Sequence, residues 1–171
     1  MKGPSKIKEY IMRLSVADAF QRYGDRLFAA AFSLCRNQMD ADDAVQEALI
    51  KYHTLGLDYT DETHIKAWLL RVTINCAKNI SSSFWRKNTV AWEEYMDELA
   101  FEAPEDHQLF ETVMRLPQKY RVVIHLFYYE EYSIREIAEI LRCREGTVKS
   151  QLSRGRKLLK KLLMEEWNDD E

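Results

Sequence analysis

The stretch "SIREIAEILRCREGTVKSQLSRGRKLLKK", Ser133 to Lys161, decides the fold. It opens with a capping box: Ser133 can accept from the backbone N–H three residues on, and Glu136 can reach back to the start of the helix. Ile134, Ile137, Ala138 and Leu141 then recur at helical spacing. "RCR" (Arg142–Arg144) interrupts the pattern, and a second helix is predicted from near Glu145. On that helix Val148, Leu152, Gly155, Leu159 and Leu162 fall on one side. Lys149, Ser150, Ser153, Arg154, Lys157 and Lys161 fall on the other, and Gly146 and Thr147 keep the first turn small. From Arg144 to Lys161 there are seven basic residues and one acid, although the whole chain has a formal net charge of -3. A basic run alone more often marks a helix face left in water. After a helix and a short turn, a narrow apolar seat with a long basic face suits insertion into a DNA groove.

Upstream, "NTVAWEEYMDELAFEAPEDH" (Asn88–His107) carries seven acids and no Lys or Arg, with Pro104 near its end. This shift in charge predicts an acidic linker over residues 88–106. Helical spacing of apolar residues fills the chain on either side of it. The organisation expected is therefore all-α: two small helical domains, 1–87 and 107–171, joined by that linker, the second a helix-turn-helix.

Two segments of the first block have unusual faces. In "DADDAVQEALIKY", Asp40 is the expected N-cap, and Ala41, Ala44, Val45, Ala48 and Tyr52 make the buried side. Asp42, Asp43, Gln46, Glu47 and Ile50 lie together opposite. An isoleucine ringed by acids has the apolar centre and charged rim of a protein-binding patch, although single exposed apolar residues are common. In "IKAWLLRVTINCAKNISSSFWRK" the apolar arc is wide, and the polar stripe is Arg71, Asn75, Lys78 and Asn79 with Trp68 beside it. Asparagine is a poor interior helix former. Its side chain can donate to and accept from a base edge, and tryptophan can stack on one. Placement on an ordinary surface or near a helix end explains the same residues equally well.

Composition narrows the classes further. The chain has 171 residues, 46% hydrophobic and 31% charged, with five glycines and three prolines, too few for a turn-rich β fold. No apolar run is long enough to cross a bilayer, and the basic N-terminus lacks the apolar core of a signal peptide. Cys35, Cys76 and Cys143 are far apart and suit reduced thiols. No metal site, cofactor or catalytic residue is expected, and a cytoplasmic location is.

Three stretches in order, "DADDAVQEALIKYH", "AWLLRVTINCAKN" and "LPQKYRVVIHLFYYEEYSIREIAEILRCREGTVKSQLSRGRKLL", resemble the sigma subunits of bacterial RNA polymerase. The short chain is similar to the extracytoplasmic-function group, which keeps only the second and fourth conserved regions. The resemblance implies that residues 1–87 bind core polymerase and recognise and melt the −10 box, and that 107–171 read the −35 box. It implies that Asp43, Gln46, Glu47 and Ile50 bind the clamp helices of the largest polymerase subunit. It also implies that Trp68, Arg71, Asn75, Lys78 and Asn79, with the loop Leu57–Thr63, engage −10 DNA. Arg144, Thr147, Lys149, Ser150, Ser153, Arg154 and Lys157 are implied at the −35 DNA; by their place at the turn or farther along the helix, Arg144, Arg156 and Lys157 are expected on the backbone. The implied partners are core RNA polymerase through its largest and second-largest subunits, promoter DNA, and an anti-sigma factor, often membrane-bound. The family usually has Gly where this chain has Arg142, Ser or Pro at Arg144, Arg at Gln151 and an aromatic at His64. The competing reading is a stand-alone helix-turn-helix repressor or activator, which would grip promoter DNA without polymerase.

Overall fold

The computed structural model describes the backbone of residues 12–84 and 107–169, and side chains over 12–81 and 109–165. The acidic stretch 88–106 lies outside the described residues. Among the described residues seven helices follow in order: α1 (Val16–Cys35), α2 (Gln38–Leu55), α3 (Glu62–Phe84), α4 (His107–Met114), α5 (Gln118–Tyr128), α6 (Ile134–Leu141) and α7 (Glu145–Asp169). The all-α expectation is met.

Helix ends follow local chemistry. Ser15 accepts the Asp18 N–H at 3.0 Å and starts α1. The cap of α2 is Asn37 and not Asp40: Asn37 Oδ1 accepts the Asp40 N–H at 2.9 Å, so Asp40 sits inside the first turn. The expected capping box at Ser133 is present in full, with Glu136 Oε2 accepting the Ser133 N–H at 2.8 Å. α6 then ends on Arg142 at φ 54°, a left-handed conformation that a side chain disfavours. The cysteines are free, Cys76 buried and the other two half-buried.

α1, α2 and α3 pack on one another through Ala19, Leu27, Ala31, Ala41, Ala44, Ala48, Leu69, Leu70 and Ile74, all at most 1% exposed or fully buried. The many alanines on α1 and α2 let those helices approach closely. The chain before α1 is fixed as well. The Tyr52 hydroxyl donates to the Leu14 carbonyl at 3.0 Å and accepts its N–H at 3.2 Å, and Met12 pairs with Tyr59 through backbone hydrogen bonds. α7 lies across α5, and α6 packs on α7 and α3.

The two helical blocks meet. α1 touches α5 and α3 touches α6. At the centre is Arg121, 2% exposed. Its guanidinium donates to the carbonyls of Ser33 and Leu34 at the end of α1, and of Met114 at the end of α4 and Leu116 just after it. Helix C-termini carry partial negative charge, so two of them facing one cation compensate part of its desolvation. Burial pulls the pKa down to about 9, and the side chain stays charged at neutral pH.

Candidate nucleic-acid and protein interfaces

Three faces carry the polar residues singled out above. On α2 the inward residues Ala41, Ala44, Val45, Ala48 and Tyr52 are buried, as their spacing requires. Asp42, Asp43, Gln46 and Glu47 are exposed, and Ile50 is 64% exposed at their centre. Met39, 71% exposed, extends this face by one turn, since residues 39, 43, 46 and 50 share a side of the helix. The sequence reading missed it by starting the helix at Asp40, although the four-residue step back from Asp43 was available. Glu47 Oε1 lies 2.6 Å from Lys51 Nζ, and that hydrogen bond lowers the carboxyl pKa. Burial raises the pKa of Asp42, with Asp43 adding to it.

On α7 the seat is as expected: Val148, Leu152 and Gly155 are buried, Leu159 and Leu162 half-buried. A β-carbon on Gly155 would stand 3.2 Å from Tyr120 Cβ and 3.3 Å from Ile124 Cγ1, so the absent side chain lets α7 lie close on α5. Arg144, Thr147, Lys149, Ser150, Ser153, Arg154 and Lys157 are all exposed. Arg156 is turned aside, its guanidinium over the Phe127 and Tyr128 rings at 5.4 and 5.5 Å. Nothing in the basic run's spacing announces that pairing; the signal is the adjacent aromatics at the end of α5.

The α3 face is different. Trp68 is half-buried against Tyr52 and Tyr59, with ring centroids 6.0 and 6.3 Å away. Arg71 and Asn79 are exposed and Asn75 half-buried. Lys78 is half-buried, and its ammonium donates to the Leu141 carbonyl at the end of α6, 3.5 Å away. Burial lowers its pKa. A cleft of about 430 Å³ runs beside Trp68 and Arg71. Tyr59, Thr63, His64 and Ala67 complete one wall, and Tyr132, Glu136, Glu139 and Ile140 form the other.

Among the described residues no group of three or more His, Cys, Asp or Glu is placed to hold a metal ion. None of the described helices is long and apolar enough to cross a membrane.

Residues 19–89 match the family "Sigma-70 region 2", and residues 106–159 match "Sigma-70, region 4". The chain is 30% identical over 164 residues to the ECF RNA polymerase sigma factor SigW of Bacillus subtilis, covering 86% of this chain and 88% of SigW. It is 30% identical over 143 residues to the RNA polymerase sigma factor SigV of the same organism, covering 81% and 85%. Among solved structures, it is similar to the sigma factor RpoE in complex with the anti-sigma factor NepR from Bartonella quintana. That match has a TM-score of 0.67 at 23% identity over 86% of this chain and 96% of that one. It is also similar to CnrH in complex with the cytosolic domain of CnrY, with a TM-score of 0.60 at 25% identity over 86% of each chain.

Proposed function

We propose, for a chain that belongs to the extracytoplasmic-function sigma factors of bacterial RNA polymerase, a division of the promoter-recognition task among the three faces of α2, α3 and α7. As a sigma factor it directs core polymerase to promoters and starts transcription. Residues 1–87 form the unit that binds core enzyme and opens the −10 box, 88–106 the acidic linker, and 107–171 the unit that reads the −35 box. The site of action is the cytoplasm, and bond chemistry belongs to the polymerase.

Asp43, Gln46, Glu47 and Ile50 bind the clamp helices of the largest subunit, and the second-largest subunit is met elsewhere along the chain. The observation that carries this is Ile50 standing 64% exposed inside a ring of exposed polar and acidic side chains. An apolar centre excludes water, and the rim sets partner and register.

The α7 helix enters the major groove N-terminus first. Lys149, Ser150, Ser153 and Arg154 face base edges and adjacent phosphates, while Arg144, Thr147 and Lys157 hold the backbone. Lys and Arg read guanine through its groove-side acceptors. Trp68, Arg71, Asn75, Lys78 and Asn79 act on single-stranded −10 DNA, where a base out of the stack can offer its face and edge. The acidic balance of the whole chain keeps these basic faces from binding DNA indiscriminately through counterion release. The similar structures with NepR and CnrY support an anti-sigma factor as a third partner.

The test is runoff transcription with purified core polymerase on a library of genomic promoters. Enrichment of transcripts sharing two upstream boxes is expected. Tight, specific binding of free promoter DNA with no transcription in the presence of core enzyme would overturn the reading in favour of a stand-alone regulator.

A further inference from the structure

The loop Leu57–Thr63 runs from the end of α2 into the first turn of α3, and its backbone is held at its start, middle and end. It leaves from Gly56, the left-handed cap of α2 at φ 55°, with the Arg13 guanidinium close against it: a β-carbon there would lie 2.9 Å from Arg13 Nη2. At the middle, the Met12 N–H donates to the Tyr59 carbonyl at 2.9 Å and the Tyr59 N–H donates to the Met12 carbonyl at 3.4 Å. At the end, Asp61 Oδ1 accepts the His64 N–H at 2.9 Å, and Thr60 Oγ1 lies 2.7 Å from His64 Nδ1. Glu62, the first residue of α3, accepts from Arg22 at 2.8 Å and from the Tyr23 hydroxyl at 2.6 Å, both on α1.

The segment 12–14, which makes the middle contact, lies outside any helix and is pinned by Tyr52. That hydroxyl accepts the Leu14 N–H at 3.2 Å and donates to the Leu14 carbonyl at 3.0 Å. Leu14, Tyr52 and Tyr59 are each at most 9% exposed. Buried backbone groups need partners, so one hydroxyl that satisfies both polar groups of Leu14 fixes where the segment sits on α2. The Tyr52 ring also lies 5.9 Å from Tyr59 and 6.0 Å from Trp68, between centroids. It therefore joins the segment to the aromatic floor of the loop. By contrast, the side chains of Leu57, Asp58, Thr60, Thr63 and His64 stay in solvent.

We propose that residues 12–14, gripped by Tyr52, form a splint that presets this loop for base capture. Met12, through its backbone, and Tyr52, from within the core, are then positioning residues for −10 recognition. A loop held in its reading geometry before the base arrives keeps the cost of ordering out of the binding step. The splint rests on the assignment of the loop and of α3 to single-stranded DNA made above.

Tyr52→Phe deletes the hydroxyl and keeps the ring. Met12→Pro deletes the N–H that the Tyr59 carbonyl accepts, and so loosens the same contact should the first variant fold poorly. Ala31→Gly, at a buried position about 24 Å along α1 from Ser15, is the control for lost stability alone. Each full-length chain is assembled with core polymerase and titrated by fluorescence anisotropy on a fork template. The template carries the promoter recovered by runoff selection, with the non-template strand single-stranded across the −10 box. A parallel set has an abasic site at each single-stranded position in turn. Wild-type holoenzyme should lose affinity several-fold at the position whose base is captured. Tyr52→Phe and Met12→Pro should bind the intact strand about threefold more weakly, as for a loop in its competent form about one third of the time. On the strand abasic at that position they should bind as the wild type does, and Ala31→Gly should match the wild type on both. Variants that lose as much on the abasic strand as on the intact one, or lose nothing on either, would overturn the splint. So would the same pattern in Ala31→Gly. A wild type indifferent to every abasic site would instead overturn the reading of the loop and of α3, and the splint with it.

Discussion

Arg142 shows one residue setting a turn against its own preference. The turn between α6 and α7 holds its residue left-handed, and Arg142 stands there at φ 54°, a conformation that glycine adopts without strain. Arg142→Gly should stabilise the fold by about 1 kcal/mol, read as a raised urea midpoint at unchanged slope. His125 makes the opposite kind of demand. It is 1% exposed, and burial pushes its pKa down from 6.5 to about 4. Glu130, whose Oε1 lies 3.9 Å from the ring, is itself drawn to Lys66 and leaves the imidazole neutral. The unfolded chain takes up a proton as pH falls through 6.5 and the folded chain does not, so stability is full above 6.5 and declines toward 4. Between pH 7 and pH 5 the loss from this group should be about 2 kcal/mol. Denaturant titrations at both pH values should show it, and His125→Phe should flatten the difference.

At the scale of elements, α2 and α7 each bury one face in the core and leave the other in solvent, so single substitutions can be confined to one side. Ile50→Glu should weaken assembly with core polymerase by at least tenfold in a pull-down titration, with the helical circular dichroism unchanged, because the residue is exposed and supports no packing. Met39→Lys should do the same more weakly, since Met39 stands about three turns from Ile50 at the ring's centre. On α7, Lys149→Ala and Arg154→Ala should each cost about 1–3 kcal/mol on the matching −35 box and relax preference at one base pair. Lys157→Ala should weaken all sequences alike and lower the salt slope by about one. Binding isotherms of holoenzyme on systematically altered −35 boxes at two salt concentrations distinguish these outcomes. Uniform loss for all three would make α7 an electrostatic clamp.

At the scale of the whole molecule, what could be read in the sequence divides by range. The helical class, the capping box at Ser133, the apolar seat of α7 and the exposed side of α2 were legible because each depends on residues three or four apart. Arg142 was legible as a strained position through the family resemblance, which places glycine at that turn, and not through spacing. The cap of α2 was misplaced because Asp40 and Asn37 are both good caps, and only the geometry shows which oxygen meets which N–H. The joining of the two blocks was not legible. Arg121 in "PQKYRVV" looks like an ordinary charged helix residue, and its carbonyl partners Ser33 and Leu34 lie almost ninety positions earlier. Backbone carbonyls leave no mark in a sequence. The half-buried state of Lys78 was hidden likewise, since its acceptor is the end of a helix 63 residues away.

One absent methyl on the back of α7 governs its front. The helix is 25 residues long, about 37 Å from end to end, and it rests on α5 at Gly155, where a β-carbon would stand only 3.2 Å from Tyr120 Cβ and 3.3 Å from Ile124 Cγ1. Gly155→Ala would gain helix propensity, about 1 kcal/mol in isolation, yet insert a wedge beneath a long beam. Tyr120 and Ile124 must give by a few tenths of an ångström; where they hold firm the beam pivots there instead, and the displacement grows with distance along it. Hydrogen bonds to base edges tolerate little of this. On the proposed reading of base edges by α7, alignment with the rungs of the double helix is tuned from the side that never sees them, and a variant could become stiffer while losing its aim.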